Sequence, residues 1–320
     1  MVERPTAARS AGRVDADSSG IGFGRSDSQG RPLLVLLDGS HAIFRAYFAI
    51  RSMSSPSGAP TNAVFGFTGA LLRLLERWRP DYTAICFDTA GGTFRDAIDP
   101  AYKANRPPMP EDLRTQWPIV VRLCRELGLP VLEQVGIEAD DIIATLACRG
   151  REAGMDVLIV SGDKDLMQLV IDGDGERGAV RQLDERNNIV FDPPAVAEKW
   201  GVAPVQVADL LAIMGDAVDN IAGIRGIGRK GAAKLLNEHG TIAGVYAAIE
   251  QIASERTRRL LEEGRDAVAL AQRLVALVTD ADLPIAVTDL APQPADREAL
   301  TATFTELGFQ RLLARFADQP

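Results

Sequence analysis

The first clear pattern in the chain is an unbroken apolar run, Leu33–Leu37, of strand length. Such a run marks a strand covered on both faces, as in a parallel sheet. Helical periodicity follows from about Ser40 and again over about Ala63–Trp78, and Tyr82–Phe87 predicts a second strand. The alternation continues with a helix over about Asp112–Leu127, a short strand Val131–Gln134, a helix opening at Glu138 and a strand Val157–Val160. Val180–Leu183 and Ile189–Phe191 predict a hairpin turned about Asn187 and Asn188. After Asp192-Pro193-Pro194 the pattern becomes helical, with short helices joined by glycine-containing turns. These elements predict an α/β core over 31–192, with a mostly parallel central sheet flanked by helices. A helical region, 193–320, is expected to pack against it.

Two stretches break the periodicity. Residues 1–30 are rich in Gly, Ser, Arg and Asp and read as a disordered tail. The tail lacks the apolar segment of a signal peptide, and Glu3, Asp15, Asp17 and Asp27 argue against a mitochondrial presequence. A dispensable extension or a misplaced start fits it better than a targeting role. The second stretch, 89–110, carries Gly91, Gly92, Pro100, Pro107, Pro108 and Pro110. A connection of this length inside a compact domain is a functional or a disordered loop.

Composition narrows the chemistry. The chain has 320 residues and 46% hydrophobic side chains, enough for one large or two modest domains. No apolar run reaches the ~18 residues of a membrane helix, so an integral membrane protein is not expected. The three cysteines, Cys86, Cys124 and Cys148, have neither disulfide-framework nor zinc spacing, and reduced thiols in a cytoplasm fit best. With only His41 and His239, a histidine-based triad has few candidates. The net charge of −9 argues against a polyanion partner unless many of the acids share one metal-filled site.

The positions of the acids favour that exception. Asp38 follows the first strand, Asp88 the second, and Asp163 and Asp165 the strand ending at Val160. Ligands of open parallel sheets bind outside the carboxyl ends of the strands. Glu138, Asp140 and Asp141 open a helix, and Asp216 and Asp219 stand three apart in a later turn. Alone, the former are ordinary acids at a helix N-terminus and the latter a solvated turn. Together these carboxylates would repel one another strongly at one rim unless protonated or bound to cations. Hard divalent cations with oxygen ligands remove the conflict. Two such ions about 3.5–4 Å apart are the usual apparatus of phosphodiester cleavage.

Other segments suit a polyanion. Tyr102-Lys103-Ala104-Asn105-Arg106 places an aromatic ring beside two cations in the long loop, with Arg95 nearby, and Arg45 lies two turns beyond Asp38. Residues 223–234 predict a glycine hairpin between helices at Gly226 and Gly228, followed by Arg229, Lys230 and Lys234. Backbone N–H groups at such a helix start bind phosphate without reading bases. No P-loop or dinucleotide fingerprint is present.

As a set, these motifs resemble the 5′-nuclease superfamily, specifically the bacterial 5′→3′ exonucleases and the matching N-terminal domain of DNA polymerase I. The resemblance covers about 32–310 and rests on Leu37-Asp38-Gly39-Ser40, Phe87-Asp88, Phe94-Arg95, the Tyr102–Arg106 run, Gly136–Asp141, Ser161–Leu166, and Gly215-Asp216 through Asp219-Asn220 to Gly228. It implies a PIN-like nuclease core with an arch over 89–110 and a helix-hairpin-helix at about 215–240. It also implies a first metal on Asp38, Asp88, Glu138 and Asp140. A second metal, or its outer shell, would fall to Asp141, Asp163, Asp165, Asp216 and Asp219. Lys103 and Arg106 would act from a mobile arch with help from Arg45, and Tyr102 would meet DNA. Gly226, Gly228, Arg229, Lys230 and Lys234 would hold duplex. The implied cofactors are two Mg²⁺ or Mn²⁺ ions, with K⁺ at the hairpin. The implied partners are 5′ ends, flaps or nicks in DNA, RNA/DNA hybrids, and DNA polymerase I. A cytoplasmic, nucleoid-associated monomer is expected. Ala222 departs from the proline common before the hairpin glycine. The alternatives are a non-catalytic junction-binding protein and a PIN-type RNase.

Overall fold

Every residue of β1 (Leu33–Asp38) is buried, as an unbroken apolar run requires in a sheet covered on both faces. The structure, a computed structural model, describes residues 30–317, so the expected tail lies outside the described residues except for Gly30. After β1 come α1 (Gly39–Ala49), α2 (Asn62–Trp78), β2 (Tyr82–Cys86), α3 (Phe94–Ile98), α4 (Glu111–Glu126), β3 (Val131–Leu132), α5 (Ala139–Glu152) and β4 (Asp156–Val160). The hairpin β5 (Val180–Asp184) and β6 (Ile189–Phe191) completes a sheet of order β3-β2-β1-β4-β5-β6. Its first five strands run parallel and β6 runs antiparallel to β5. Leu37 pairs with Ile85 on one side and Val160 on the other, so β1, β2 and β4 end at one level. Whatever follows these three strands emerges at a single rim.

β3 is shorter than the expected Val131–Gln134. Its ladder ends at the Cys86–Leu132 pair, and the Gln134 carbonyl accepts from Thr89 and Ile137 instead.

Asp192-Pro193-Pro194 does mark a change of architecture. Asp192 caps α6 (Pro193–Trp200) by accepting from the Ala195 N–H, with proline in the first turn where no donor is missed. Then follow α7 (Val207–Met214), α8 (Arg229–His239), α9 (Ile242–Ala247), α10 (Glu255–Glu263), α11 (Arg265–Val275), α12 (Arg297–Leu307) and α13 (Gln310–Ala317). The expected second region, 193–320, does not pack as one body. α6 to α11 share a core that includes Val196, Leu210, Leu236 and Val268. Beyond Val275 the chain returns to the sheet. Leu283 and Leu290 join Leu34 and Ile142, while Leu300, Phe304 and Phe309 join Val35, Phe67 and Leu123. The apolar faces of the last helices share this core with α2 and α4, a long-range pairing invisible in local pattern. No helix among the described residues is long and apolar enough to cross a membrane.

Candidate active site

Hydrogen bonds lock the acids that leave the strands to one another's elements. Asp38 Oδ1 accepts from the His41 N–H at 2.8 Å, and Asp38 Oδ2 accepts from Ser161 Oγ at 2.8 Å. Asp88 Oδ1 accepts from the Ala139 N–H at 2.9 Å, while its own N–H donates to Ser40 Oγ at 2.8 Å. Ser161 Oγ also accepts from the Asp163 N–H at 3.0 Å, and Asp163 Oδ1 accepts from the Asp165 N–H at 2.9 Å. The ends of β1, β2 and β4 and the start of α5 are thereby one assembly.

Charge is concentrated there. Burial, then repulsion from Asp88 and Asp163, pushes Asp38 up to about 7 against the opposing His41 and Ser161 bonds. Burial, then Asp163, Asp38 and Asp88, drives Asp140 well above the ordinary carboxylate range. A second group adjoins the first. Asp165, Asp216 and Asp219 each offer an oxygen, all within 4.8 Å of one another. Burial and Asp163 push Asp165 up to about 8, with Lys164 opposing. Asp165 Oδ1 is enclosed and has no hydrogen-bond partner. Lys164 Nζ pairs with it only at 3.7 Å, so this buried oxygen among carboxylates is suited to a closer cation. The donor set is entirely carboxylate oxygen, the chemistry of hard divalent ions rather than of soft metals.

Side-chain cations rest on these acids. Lys103 Nζ donates to Glu138 Oε1 at 2.9 Å and Arg106 donates to Asp219. Lys164 Nζ donates to Asp216 Oδ2 at 2.5 Å. Burial works against the charge of Lys103 and Arg106, but Glu138 and Asp219 more than offset it and both pKa values are raised. The 89–110 stretch is more ordered than a loop. It holds α3, opened by a Thr93–Asp96 capping box. Its tip docks on the turn after α7 through Lys103 N–H to Asp219 O at 2.9 Å, Asn105 to Ala217 O at 2.8 Å, and Asn220 to Ala101 O at 2.7 Å.

One expected placement is narrowed and three are corrected. Asp141 is 0% exposed, and Arg95 bridges it to Glu138. Arg95 grips both its oxygens, at 2.6 and 2.8 Å, and the Val278 N–H donates to Oδ1 at 2.9 Å, so of the two expected places, metal site or outer shell, the outer shell fits. Arg95 is itself buried; it also donates to the Leu274 and Ala276 carbonyls and cannot meet a phosphate. The Tyr102 ring lies in the helical core, 6% exposed, with its hydroxyl donating to Glu138 Oε2 at 3.1 Å, so it cannot stack on a base. Arg45 pairs with Glu185 of the β5–β6 turn and with none of the rim acids. The remaining rim acids expected from sequence are brought together. Ser40, Ser161 and Lys164 hydrogen-bond the Asp88 N–H, Asp38 and Asp216; the reading for acids passed over these partners, although each lies inside a quoted motif.

Beyond α7 the chain crosses itself. A Cβ on Gly223 would lie 2.2 Å from the Gly215 nitrogen, so only glycine permits the approach. Ile224 and Ile227 are buried anchors, whereas Gly226, Gly228, Arg229, Lys230 and Lys234 are exposed. Gly228 caps α8 without a side-chain acceptor, leaving the first-turn N–H groups open.

Known proteins resemble this chain in sequence or in fold. Residues 33–201 match the model of the 5′-3′ exonuclease N-terminal resolvase-like domain, and residues 202–298 match the 5′-3′ exonuclease C-terminal SAM fold. A 5′-3′ exonuclease of Aquifex aeolicus is 36% identical over 280 residues, spanning 88% of this chain and 93% of that protein. DNA polymerase I of Bacillus caldotenax is 39% identical over 285 residues, 88% of this chain but 32% of the relative. The chain therefore spans about a third of the length of the polymerase relatives it matches. Among solved structures, T5 5′-exonuclease with bound zinc aligns with a TM-score of 0.65 at 21% identity, covering 89% of this chain and 96% of that one. The catalytic core of Rad2 in complex with DNA substrate aligns with a TM-score of 0.59 at 16% identity, covering 90% and 94%.

Proposed function

We propose, because the chain belongs to the 5′-3′ exonuclease family, that it cleaves DNA phosphodiester bonds at 5′ ends, nicks and 5′ flaps with two divalent ions. The observation that carries this reading is the adjacency of two carboxylate groups joined through Asp163 and Asp165. Asp38, Asp88 and Asp140, with Glu138 beside them, would hold one ion. Asp163, Asp165, Asp216 and Asp219 would hold the other, and Mg²⁺ or Mn²⁺ is the fitting metal. When bound, such ions lower the pKa of a water and neutralise charge on the phosphate and leaving oxygen.

The chain's own residues do the rest. Ser161 and the His41 N–H fix Asp38, and the Ala139 N–H fixes Asp88. Lys103 and Arg106, carried on one docked tip, exchange their carboxylate partners for phosphate oxygens when the substrate's 5′ strand arrives. Tyr102 and Arg95 keep Glu138 in place after Lys103 leaves it, through bonds of 3.1 Å each. The open N–H groups of α8, with Arg229, Lys230 and Lys234, grip the duplex phosphates, and the hairpin at Gly226 and Gly228 would hold K⁺, which would add positive charge there. No histidine or nucleophilic side chain is needed. The setting that follows is primer and Okazaki-fragment processing and repair beside DNA polymerase I, by a monomer in the nucleoid.

The deciding experiment incubates the protein with 5′-flap duplex DNA and with single-stranded RNA, in Mg²⁺, Mn²⁺ or EDTA. Metal-dependent cutting at the flap junction is expected, and cutting in EDTA, or of RNA alone, would overturn the reading.

A further inference from the structure

The reading above uses the hairpin and the cations that open α8. Those cations also line a groove of about 470 Å³ between α8 and the end of α6, which brings in Lys199. Its polar lining includes Lys199, Arg229, Lys230 and Lys234, opposed by Glu198 and Glu238. In a chain of net charge −9 this is a local inversion of sign. Lys103, Lys164 and Arg106 all rest on carboxylates, but Lys199, Arg229 and Lys230 form no ion pair among the described residues.

The groove is also built. Lys199 Nζ lies 4.4 Å from the centre of the Phe191 ring and 5.9 Å from that of Trp200. The Arg229 guanidinium stands 6.0 Å from the same Trp200 centre, and its NH1 donates to the Lys199 carbonyl at 3.1 Å. Trp200 is anchored in turn by its Nε1–H, 3.0 Å from Met167 Sδ. Aromatic faces hold cations in place without neutralising them. Partial burial lowers the Lys199 pKa, with Asp184 opposing. Lys234 lines both this groove and the one beside the hairpin glycines, so the two run together along α8.

We infer that the α6–α8 groove is a second seat for the sugar–phosphate backbone of duplex DNA, with Lys199 as its outer cation and Trp200 as the platform that fixes Lys199 and Arg229. The inference rests on the hairpin being the duplex grip and extends that grip beyond it. Contacts of this kind set the register of the duplex and carry no sequence preference.

The test is anisotropy of a labelled blunt duplex in EDTA, titrated with the full chain across a series of KCl concentrations. Each phosphate contact contributes about 0.9 to the log–log salt slope. Lys199→Ala is expected to reduce the slope by about that much, with severalfold weaker binding at low salt, while Lys199→Arg keeps both near wild type. Should Lys199→Ala melt lower than wild type, Lys199→Gln removes the same charge with most of the stem intact. If Lys199→Ala and Lys199→Gln match wild type while Arg229→Ala and Lys230→Ala lose slope, the groove is solvated surface and the hairpin reading stands. If the wild type binds duplex without salt dependence, or not at all, both readings fall together.

Discussion

Lys103 Nζ lies 2.9 Å from Glu138 Oε1, so a cation suited to a phosphate is parked on an acid of the catalytic rim. Its backbone N–H is fixed to the Asp219 carbonyl at 2.9 Å, which leaves the side chain to swing from carboxylate to phosphate without moving the chain. Removing one preorganised donor at a charge-developing centre typically costs about 10²–10³ in rate. Lys103→Ala should therefore slow single-turnover flap cleavage by about two orders of magnitude, with duplex affinity nearly unchanged. Equal losses in both measurements would remove Lys103 from the scissile phosphate.

Arg106 occupies an oxygen of the proposed second metal site. It donates to Asp219, whose carboxylate belongs to the cluster with Asp165 and Asp216. Arg106→Ala frees that oxygen, so Mn²⁺ should bind the DNA-free protein severalfold more tightly by calorimetry, even as cleavage slows. Weaker or unchanged Mn²⁺ binding would show that the pair does not occupy a metal site.

Asp141 and Asp163 are expected to separate cleanly. Asp141 is fully buried and held by Arg95, and breaking a buried ion pair from one side costs about 3–5 kcal/mol. Arg95→Met, which strands the Asp141 charge, should lower the melting temperature by many degrees, and Asp141→Ala should also destabilise. Asp163 raises the pKa of Asp38, Asp140 and Asp165. Asp163→Ala relieves that repulsion, so it should raise the metal-free melting temperature, abolish cutting and leave DNA binding largely intact. A stable Asp141→Ala protein that has lost only metal binding would reverse the placement of Asp141.

The contrast shows what the sequence could carry. Asp38, Asp88 and Asp163 were legible because an apolar run fixes where a strand ends, and a parallel sheet aligns those ends. Asp140 and Asp141 are the same residue type at adjacent positions, and local pattern does not tell which of them Arg95 holds. That is decided by residues 274–278, which pass behind α5 and present the Val278 N–H and two carbonyls to the Asp141–Arg95 pair. Tyr102 and Arg95 misled for a related reason: an aromatic ring or a cation in a polar loop suits a polyanion equally well if it points outward. Both point inward because buried Glu138 needs donors, and the loop tip docks on a turn more than 100 residues away in sequence. The return of α12 and α13 to the sheet was hidden in the same way, since an amphipathic helix does not name its partner.

The last prediction concerns pH. In the metal-free protein Asp38 is pushed from 3.8 up to about 7 and Asp165 from 3.8 up to about 8, burial being the largest cause for both. A carboxylate whose folded pKa is raised binds protons more tightly folded than unfolded. Its contribution to stability is therefore fully present below about pH 4 and lost as pH climbs through 7 and 8. Asp174, which hydrogen bonding from Arg177 depresses to about 2, is exposed and titrates below this window. In EDTA the melting temperature should thus fall between pH 6 and pH 8.5. Divalent ions bind the deprotonated carboxylates, so they act against that trend. The rise in melting temperature on adding Mg²⁺ should be larger at pH 8.5 than at pH 6. Mn²⁺ binding at pH 6.5 should release protons, read as a difference in binding heat between buffers of unequal ionisation enthalpy. A metal-free melting temperature flat from pH 6 to 8.5, with no proton release, would mean that Asp38 and Asp165 ionise freely and that the rim is not the strained, cation-seeking cluster its geometry describes.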